Sequence, residues 1–169
     1  MRDLFEEQTI KKIKADYRNV IEGEGGYCPC CERWGKINTF HLSETNALSL
    51  MWMMNNEENE DGWVHTAKLA PRWMMRAKSF STMRHWGLVE SAPNDNEDKK
   101  AAGVWRLTQK GYNFVNGKIR LPKKAFVYNR TLVGYGDQEI YFRECFGKYF
   151  SYEEIMSDAF NINNIKRIN

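Results

Sequence analysis

Between Thr66 and Val115 the chain is punctuated so closely that few arrangements are open to it. Pro71, directly after Ala70, lacks the N–H that a continuous helix would need, so a short helix from Thr66 ends there and a longer one begins. Gly87 closes the longer helix, because a residue without Cβ enters the left-handed conformation cheaply. Leu88 and Val89 then start a strand. The polar run Ser91 to Gly103 contains Pro93 and Asn-rich turn chemistry without an apolar period and reads as a loop, after which Val104 to Leu107 is the return strand. Thr108 offers its hydroxyl as a helix cap, and Tyr112, Phe114 and Val115 give the next helix apolar contacts before Gly117 ends it. The predicted order is helix, turn, helix, two-stranded wing, helix.

Placing Arg72 to Trp86 on one helix at about 100° per residue gathers Trp73, Ala77, Phe80 and Met83 into a buried stripe. Met75, Lys78, Ser79, Thr82 and His85 fall opposite, Arg72 and Arg76 run along one edge, and Arg84 projects into the stripe and has to snorkel outward. A lysine donor, adaptable hydroxyls and an apolar methionine suit base edges in a major groove, while edge arginines suit phosphates. No acid falls on this face, although solvated helices normally mix both signs.

Gly87, Leu88 and Val89 before the wing, and Leu107, Thr108 and Gly111 after it, resemble the bracket of winged-helix transcriptional regulators of the multiple-antibiotic-resistance type. In that family a Gly-Leu-Val/Ile strand start and a Leu-Thr-x-x-Gly end enclose the wing. The resemblance implies a winged helix-turn-helix core and double-stranded DNA as partner. One feature departs from it: DNA-touching wing tips usually carry Arg or Lys, and this one carries Asp95, Glu97 and Asp98 before Lys99 and Lys100. A second reading therefore stands beside the regulator: a winged-helix protein-interaction module, such as an inhibitor of a nucleic-acid-handling machine, using Met75 and the acidic wing.

The net charge of +3 is small, but it is unevenly spread. Gly62 to Val89 holds five basic side chains (Lys68, Arg72, Arg76, Lys78 and Arg84) and no acid, and Ala101 to Gly136 holds seven and again no acid. Acids collect at Glu57, Glu58, Glu60 and Asp61 and at the wing tip. Segregation of this kind favours a polyanionic partner. No run approaches the ~18 apolar residues of a membrane span. Asp3, Glu6 and Glu7 stand where a signal peptide would be basic and apolar, so a cytoplasmic protein without a membrane partner is expected. The abundance of Asn points to an AT-rich genome such as that of a phage or other mobile element.

Tyr27-Cys28-Pro29-Cys30-Cys31-Glu32-Arg33-Trp34-Gly35 is the sharpest local motif. Cys28 and Cys31 have C-x-x-C spacing around Pro29, which resembles a zinc knuckle, where a tight turn brings two thiolates to one tetrahedral ion. The knuckle's usual Gly after the second Cys is replaced by Glu32, and no second C-x-x-C follows. His41 is the nearest further candidate ligand, with Cys30, His65, His85 and Cys145 beyond it; a complete site needs His41 plus a distant residue, or two chains sharing one ion. The alternative is a set of small thiols in a reducing compartment. A thioredoxin-like role lacks the βαβ context it would need.

Elsewhere, residues 3 to 22 read as an amphipathic helix with Ile10, Ile13, Tyr17, Val20 and Ile21 on one stripe, available to a homodimer contact or to the domain's own core. Lys36 to Leu42 alternates as a strand, and Ser43 caps a helix that is apolar all round from Ala47 to Met54 and hence buried. Trp63-Val64-His65 reads as a short strand paired with the wing. Ala125 to Asn129 and Glu139 to Arg143 read as strands joined across a bend at Gly134 to Asp137, and Ser151 with Glu154 is a capping box for a helix to about Phe160. Lys123 and Lys124, with Lys118, Arg120 and Arg130 among Phe126 and Tyr128, form either a backbone-tracking surface or a Lys-protected sheet edge. Phosphate loops, dinucleotide fingerprints, H-E-x-x-H and G-x-S-x-G are missing from the sequence, and a non-enzyme is expected. The predicted fold is α+β: an N-terminal helix and cysteine turn (1–42), a winged helix-turn-helix core (43–117) and a C-terminal β hairpin plus short helix (118–169).

Overall fold

Helices and short antiparallel strands alternate along the chain in an α+β fold. The structure, a computed structural model, describes residues 10–58, 60–77, 79–93 and 103–149. Lys78, the acidic wing tip (Asp95, Glu97, Asp98) and the helix expected from Ser151 lie outside the described residues. The chain divides into two compact units, the first formed by the residues up to Phe40 with Lys124–Gly136, the second by His41–Lys123 with the residues from Asp137 onward.

In the first unit, α1 (Ile10–Glu22) buries only Ile21 of its expected stripe; Ile13 and Tyr17 are half-buried, and Ile10 and Val20 are exposed. Strands β1 (Gly26–Tyr27) and β2 (Trp34–Gly35) pair antiparallel around the cysteine turn. The Ile37 N–H donates to the Ile21 carbonyl at 2.8 Å, leading the chain into β3 (Asn38–His41), which lies beside a later hairpin of this unit.

The second unit is assembled on α2 (Glu44–Asn55). Ser43 caps it as expected: its N–H and hydroxyl both donate to Asn46 Oδ1, at 3.1 and 2.7 Å. Asn46 through Met53 are all buried. Such a helix has no solvated face, which is why its apolar residues show no amphipathic period. Helix α3 (Thr66–Leu69) ends at Ala70, whose backbone is extended before Pro71 as the residue before proline prefers, and α4 (Arg72–Ala77) follows. A 3-10 helix, Phe80–Trp86, then closes at Gly87, in the left-handed region at φ 69°. Strands β4 (Val89–Ser91) and β5 (Trp105–Leu107) pair antiparallel, and Val64 bridges Trp105 through two backbone hydrogen bonds of 2.8 and 3.0 Å. Helix α5 (Gln109–Val115) packs back on α2.

The C-terminal region differs from its sequence expectation. Strand β6 (Leu121–Pro122) is followed by β7 (Lys124–Tyr128) and β8 (Thr131–Tyr135), whose two-residue turn is Asn129-Arg130, with φ 47° and 67°. Gly134 and Tyr135, expected in a bend, are strand residues. A two-residue hairpin turn of type I′ requires positive φ at both positions, which Asn advertises and Arg conceals. The strand expected over Glu139 to Arg143 stops after β9 (Glu139–Ile140), which pairs with β6; a second 3-10 helix, Phe142–Tyr149 with a non-helical break at Gly147 (φ 73°), begins as Glu144 Oε2 accepts the Tyr141 N–H at 2.7 Å. Phe142 is buried edge-to-face against Phe114, with ring centroids 5.7 Å apart.

The residues on either side of the β4–β5 pair contact one another. Thr108 donates its hydroxyl proton to the Gly87 carbonyl and accepts the Gly111 N–H at 3.1 Å, while the Thr108 N–H donates to the Leu88 carbonyl at 3.0 Å. A Cβ on Gly111 would stand 2.3 Å from the Leu88 carbonyl oxygen, so only glycine lets α5 approach β4 this closely. Gly111→Ala is expected to destabilise the protein by about 1–3 kcal/mol through forced backbone displacement, and Thr108→Ala by about 1 kcal/mol through loss of the cap. Urea-denaturation midpoints check both, and a Gly111→Ala midpoint equal to the parent's would contradict the close approach.

Candidate nucleic-acid interface and cysteine turn

The segment expected to form one reading helix is two helices of different pitch. Helix α4 stops at Ala77, and from Phe80 the backbone turns as a 3-10 helix. The buried amide of Asn46 on α2 reaches this junction, donating from Nδ2 to the Ser79 carbonyl at 3.0 Å, and the Thr82 hydroxyl donates to the same oxygen. A 3-10 helix advances about 120° per residue and so stacks side chains three apart. Phe80, Met83 and Trp86 accordingly form the buried line, with Trp86 Nε1 donating to the Pro122 carbonyl at 2.6 Å.

That change of pitch corrects the face assignment made on a uniform α-helix. Arg84, expected inside the stripe, is exposed; Met74, not assigned to the stripe, is fully buried; Ala77 is exposed and Trp73 half-buried. Ser79 and Thr82, expected outward, are half-buried, with the Ser79 hydroxyl oxygen buried and unpartnered among the described residues and the Thr82 hydroxyl engaged as above. His85 is also half-buried, and burial first, then the Arg84 charge, holds its imidazole below the ordinary value.

The charged and large apolar side chains that the described part of Thr66 to Trp86 leaves in solvent are Lys68, Leu69, Arg72, Met75, Arg76 and Arg84. Among the described residues no ion pair engages any of these four cations; the two that exist are Arg18 with Glu22 and Arg106 with Glu90. Arg106, on β5, is held by Glu90 across the β4–β5 pair and lies 4.5 Å from the centre of the Trp63 ring. Lys123 and Lys124 part company: half-buried Lys123 belongs to the second unit, where its N–H donates to the Gln138 carbonyl at 2.7 Å, and exposed Lys124 opens β7 in the first.

The cysteine turn is closed by backbone hydrogen bonds. The Cys28 N–H donates to the Arg33 carbonyl at 2.9 Å and the Glu32 N–H to the Cys28 carbonyl at 2.8 Å. The backbone N–H groups of Cys30 and then Cys31 point at the Cys28 sulfur and hold its thiol below the ordinary value. Glu32 occupies the left-handed region at φ 56°, where a knuckle ordinarily has glycine. Beneath the turn the Tyr17 hydroxyl is 3.5 Å from the Arg33 carbonyl and 3.4 Å from the Tyr128 hydroxyl, and this last contact pushes the Tyr17 phenol up to about 12. Among the described residues no three His, Cys, Asp or Glu side chains are grouped to hold a metal ion, and His41 falls in the other unit from Cys28 and Cys31. Cys145, in the second unit, is half-buried, and burial followed by Glu144 pushes its thiol up to about 12.

Sequence reasoning gave Tyr27 and Trp34 no role. They flank the turn edge-to-face with centroids 5.2 Å apart and remain 70% and 57% exposed. Their symmetric placement about a C-x-x-C hairpin was the available signal. In the same unit, a cleft of about 450 Å³ between α1 and the sheet is lined mainly by Ile21, Ile37, Phe126 and Val133, with the Arg18–Glu22 pair at 3.4 Å on its wall. Among the described residues no helix is long and apolar enough to cross a membrane. No protein-family model, no curated protein and no solved structure matches this chain.

Two outcomes are expected from this geometry. Because folding depresses the His85 pKa, the unfolded chain takes up the proton first as pH falls. The associated stability is therefore complete above the ordinary His value of about 6.5 and declines as pH drops from there to the folded-state value. His85→Gln should flatten the fall in urea midpoint across that window, and an unchanged pH slope would argue against the assignment. Glu32→Gly should raise stability by roughly 0.5–1 kcal/mol by releasing left-handed strain, less the entropy of a freer unfolded chain. A lowered midpoint would show that Glu32 contributes a contact worth more than its strain.

Proposed function

We propose that this chain is a winged-helix protein that binds double-stranded DNA, a regulator of the kind a phage or other mobile element carries, and not an enzyme. The observation that carries the proposal is the row of four exposed cations, Lys68, Arg72, Arg76 and Arg84, on a segment without a single acid from Gly62 to Val89 and without an ion pair among the described residues. An unpaired cation that contacts a phosphate displaces counterions, which gives affinity without a competing intramolecular partner to break. Three further features support the reading. The element order runs α3, α4 with its 3-10 continuation, the β4–β5 pair and α5; Gly87, Leu88, Thr108 and Gly111, the bracket residues of the resemblance, contact one another; and the wing strands are anchored to Val64. With Ser79 and Thr82 turned toward the protein, base contacts pass to Met75 and the arginines, and Lys78 stays a candidate from sequence.

A protein-interaction module is favoured by one observation. Leu69 and Met75, 48% and 40% exposed, are the large apolar side chains that the second unit leaves in solvent among the described residues, and both stand next to a cation in the sequence, Lys68 and Arg76. An apolar contact ringed by charge suits a protein surface as well as thymine methyl groups.

Fluorescence anisotropy on duplex DNA over a salt series separates the two. The DNA reading expects log affinity to fall linearly with log salt at about −0.9 per phosphate contact, and Arg72→Ala, Arg76→Ala and Arg84→Ala each to reduce the slope by about one unit. If affinity at about 0.15 M salt stays at the non-specific level of roughly 10⁻⁴ to 10⁻⁶ M for every fragment of a genomic selection, DNA binding is the wrong function. Loss of a protein partner on Met75→Ala or Leu69→Ala would then identify the module.

A further inference from the structure

We propose that the cysteine turn is half of a metal site: Cys28 and Cys31 of one copy and Cys28 and Cys31 of a second copy together hold one zinc ion, joining two chains through their first units. The reasoning begins with ligand number. A closed structural zinc site takes four ligands in a tetrahedron, and each turn provides two at the spacing of a knuckle. Nothing else in the described part of the chain completes the set, since no third His, Cys, Asp or Glu is grouped with them and His41 belongs to the other unit. A second copy contributes an identical pair through a twofold axis, the cheapest way for one surface to complete itself.

The turn is already shaped for this. Two backbone hydrogen bonds close it, and Glu32 is kept in the left-handed region even though it is not glycine. Backbone strain of this sort survives only where its surroundings impose it. Coordination here is not a redox step: four thiols lose four protons, four Zn–S bonds form, and the resulting centre carries a net charge of minus two. Exposed Arg33 and Lys36, beside the turn and in no ion pair among the described residues, supply two positive charges per copy in its vicinity.

The surface around the thiols is what such a contact would cover. Of the eight large hydrophobic side chains exposed among the described residues, six (Ile10, Val20, Tyr27, Trp34, Val133 and Tyr135) belong to this unit. Tyr27 and Trp34 stand directly on the strands that carry the turn, and Val20 packs on Gly26 of the same hairpin, since a Cβ there would be 2.5 Å from Val20 Cγ1. Exposed aromatic rings beside a two-ligand turn are the composition of an interface core.

The test uses the full chain, reduced and stripped with chelator, then titrated with zinc or cobalt(II) while mass is followed by sedimentation. The expected result is saturation near half an equivalent of metal per chain, as four ligands from two chains require, a mass that doubles on metal addition and returns to that of one chain with chelator, and a sulfur-to-cobalt charge-transfer band with tetrahedral ligand-field absorption. Cys28→Ser and Cys31→Ser should lose both uptake and doubling, whereas Cys30→Ser should keep them. The titration of the parent chain stands alone if a variant fails to fold. Saturation at a full equivalent with unchanged mass, no uptake at all, or a dimer that forms without metal and is dissolved by reductant would each overturn the shared site. Because it makes no use of the cationic row, the proposal stands or falls separately from DNA binding.

Discussion

Burial of the middle of α2 on every side is the constraint on which the second unit depends. Eight consecutive residues, Asn46 to Met53, are out of solvent, and α4, α5, the two 3-10 helices and β5 are the elements that cover them. Each large apolar side chain so buried contributes on the order of 1.5–3 kcal/mol of transfer free energy, so α2 gathers its neighbours with far more force than their own helix propensities hold them. Helices as short as α3 and α4 would not persist in isolation.

Of the two buried polar side chains on this helix, Ser49 bonds back to the Thr45 carbonyl, while Asn46 reaches out and touches the cationic segment. Asn46 holds the Ser79 carbonyl where α4 has ended and the 3-10 helix has not begun. The Thr82 hydroxyl and N–H also donate to that carbonyl, but the Asn46 amide is the donor that comes from α2, and it ties the junction to the interior. Downstream of it the three-residue repeat buries Phe80, Met83 and Trp86 and turns Arg84 outward. Core polarity and surface charge are thus linked through a single amide.

The first unit works on another principle. Its elements are short and much of its apolar surface is in solvent, yet its backbone is fixed in detail at the cysteine turn and at Asn129-Arg130, where non-glycine residues occupy left-handed conformations. A small unit with few buried side chains depends on hydrogen-bonded turns, and a bound ion or a second chain would add the enthalpy that its core does not supply.

Features set by neighbouring residues could be read from the sequence alone: Ser43 and Thr108 at helix N-caps, Pro71 and Gly87 as helix boundaries, the burial of the middle of α2, and the pairing of Val64 with the β4–β5 strands. Each depends on a hydrogen bond or a steric limit acting over a few residues, or on a run of apolar side chains that has no polar face to expose. The division of Arg72 to Trp86 into two pitches was not legible, because its cause is an amide 33 positions away in sequence. Nor was the β7–β8 turn, where an arginine adopts a conformation its type avoids, nor the return of Lys124–Gly136 to the N-terminal unit. Those outcomes belong to tertiary structure, since contacts between distant segments outweigh the weak local preferences of each.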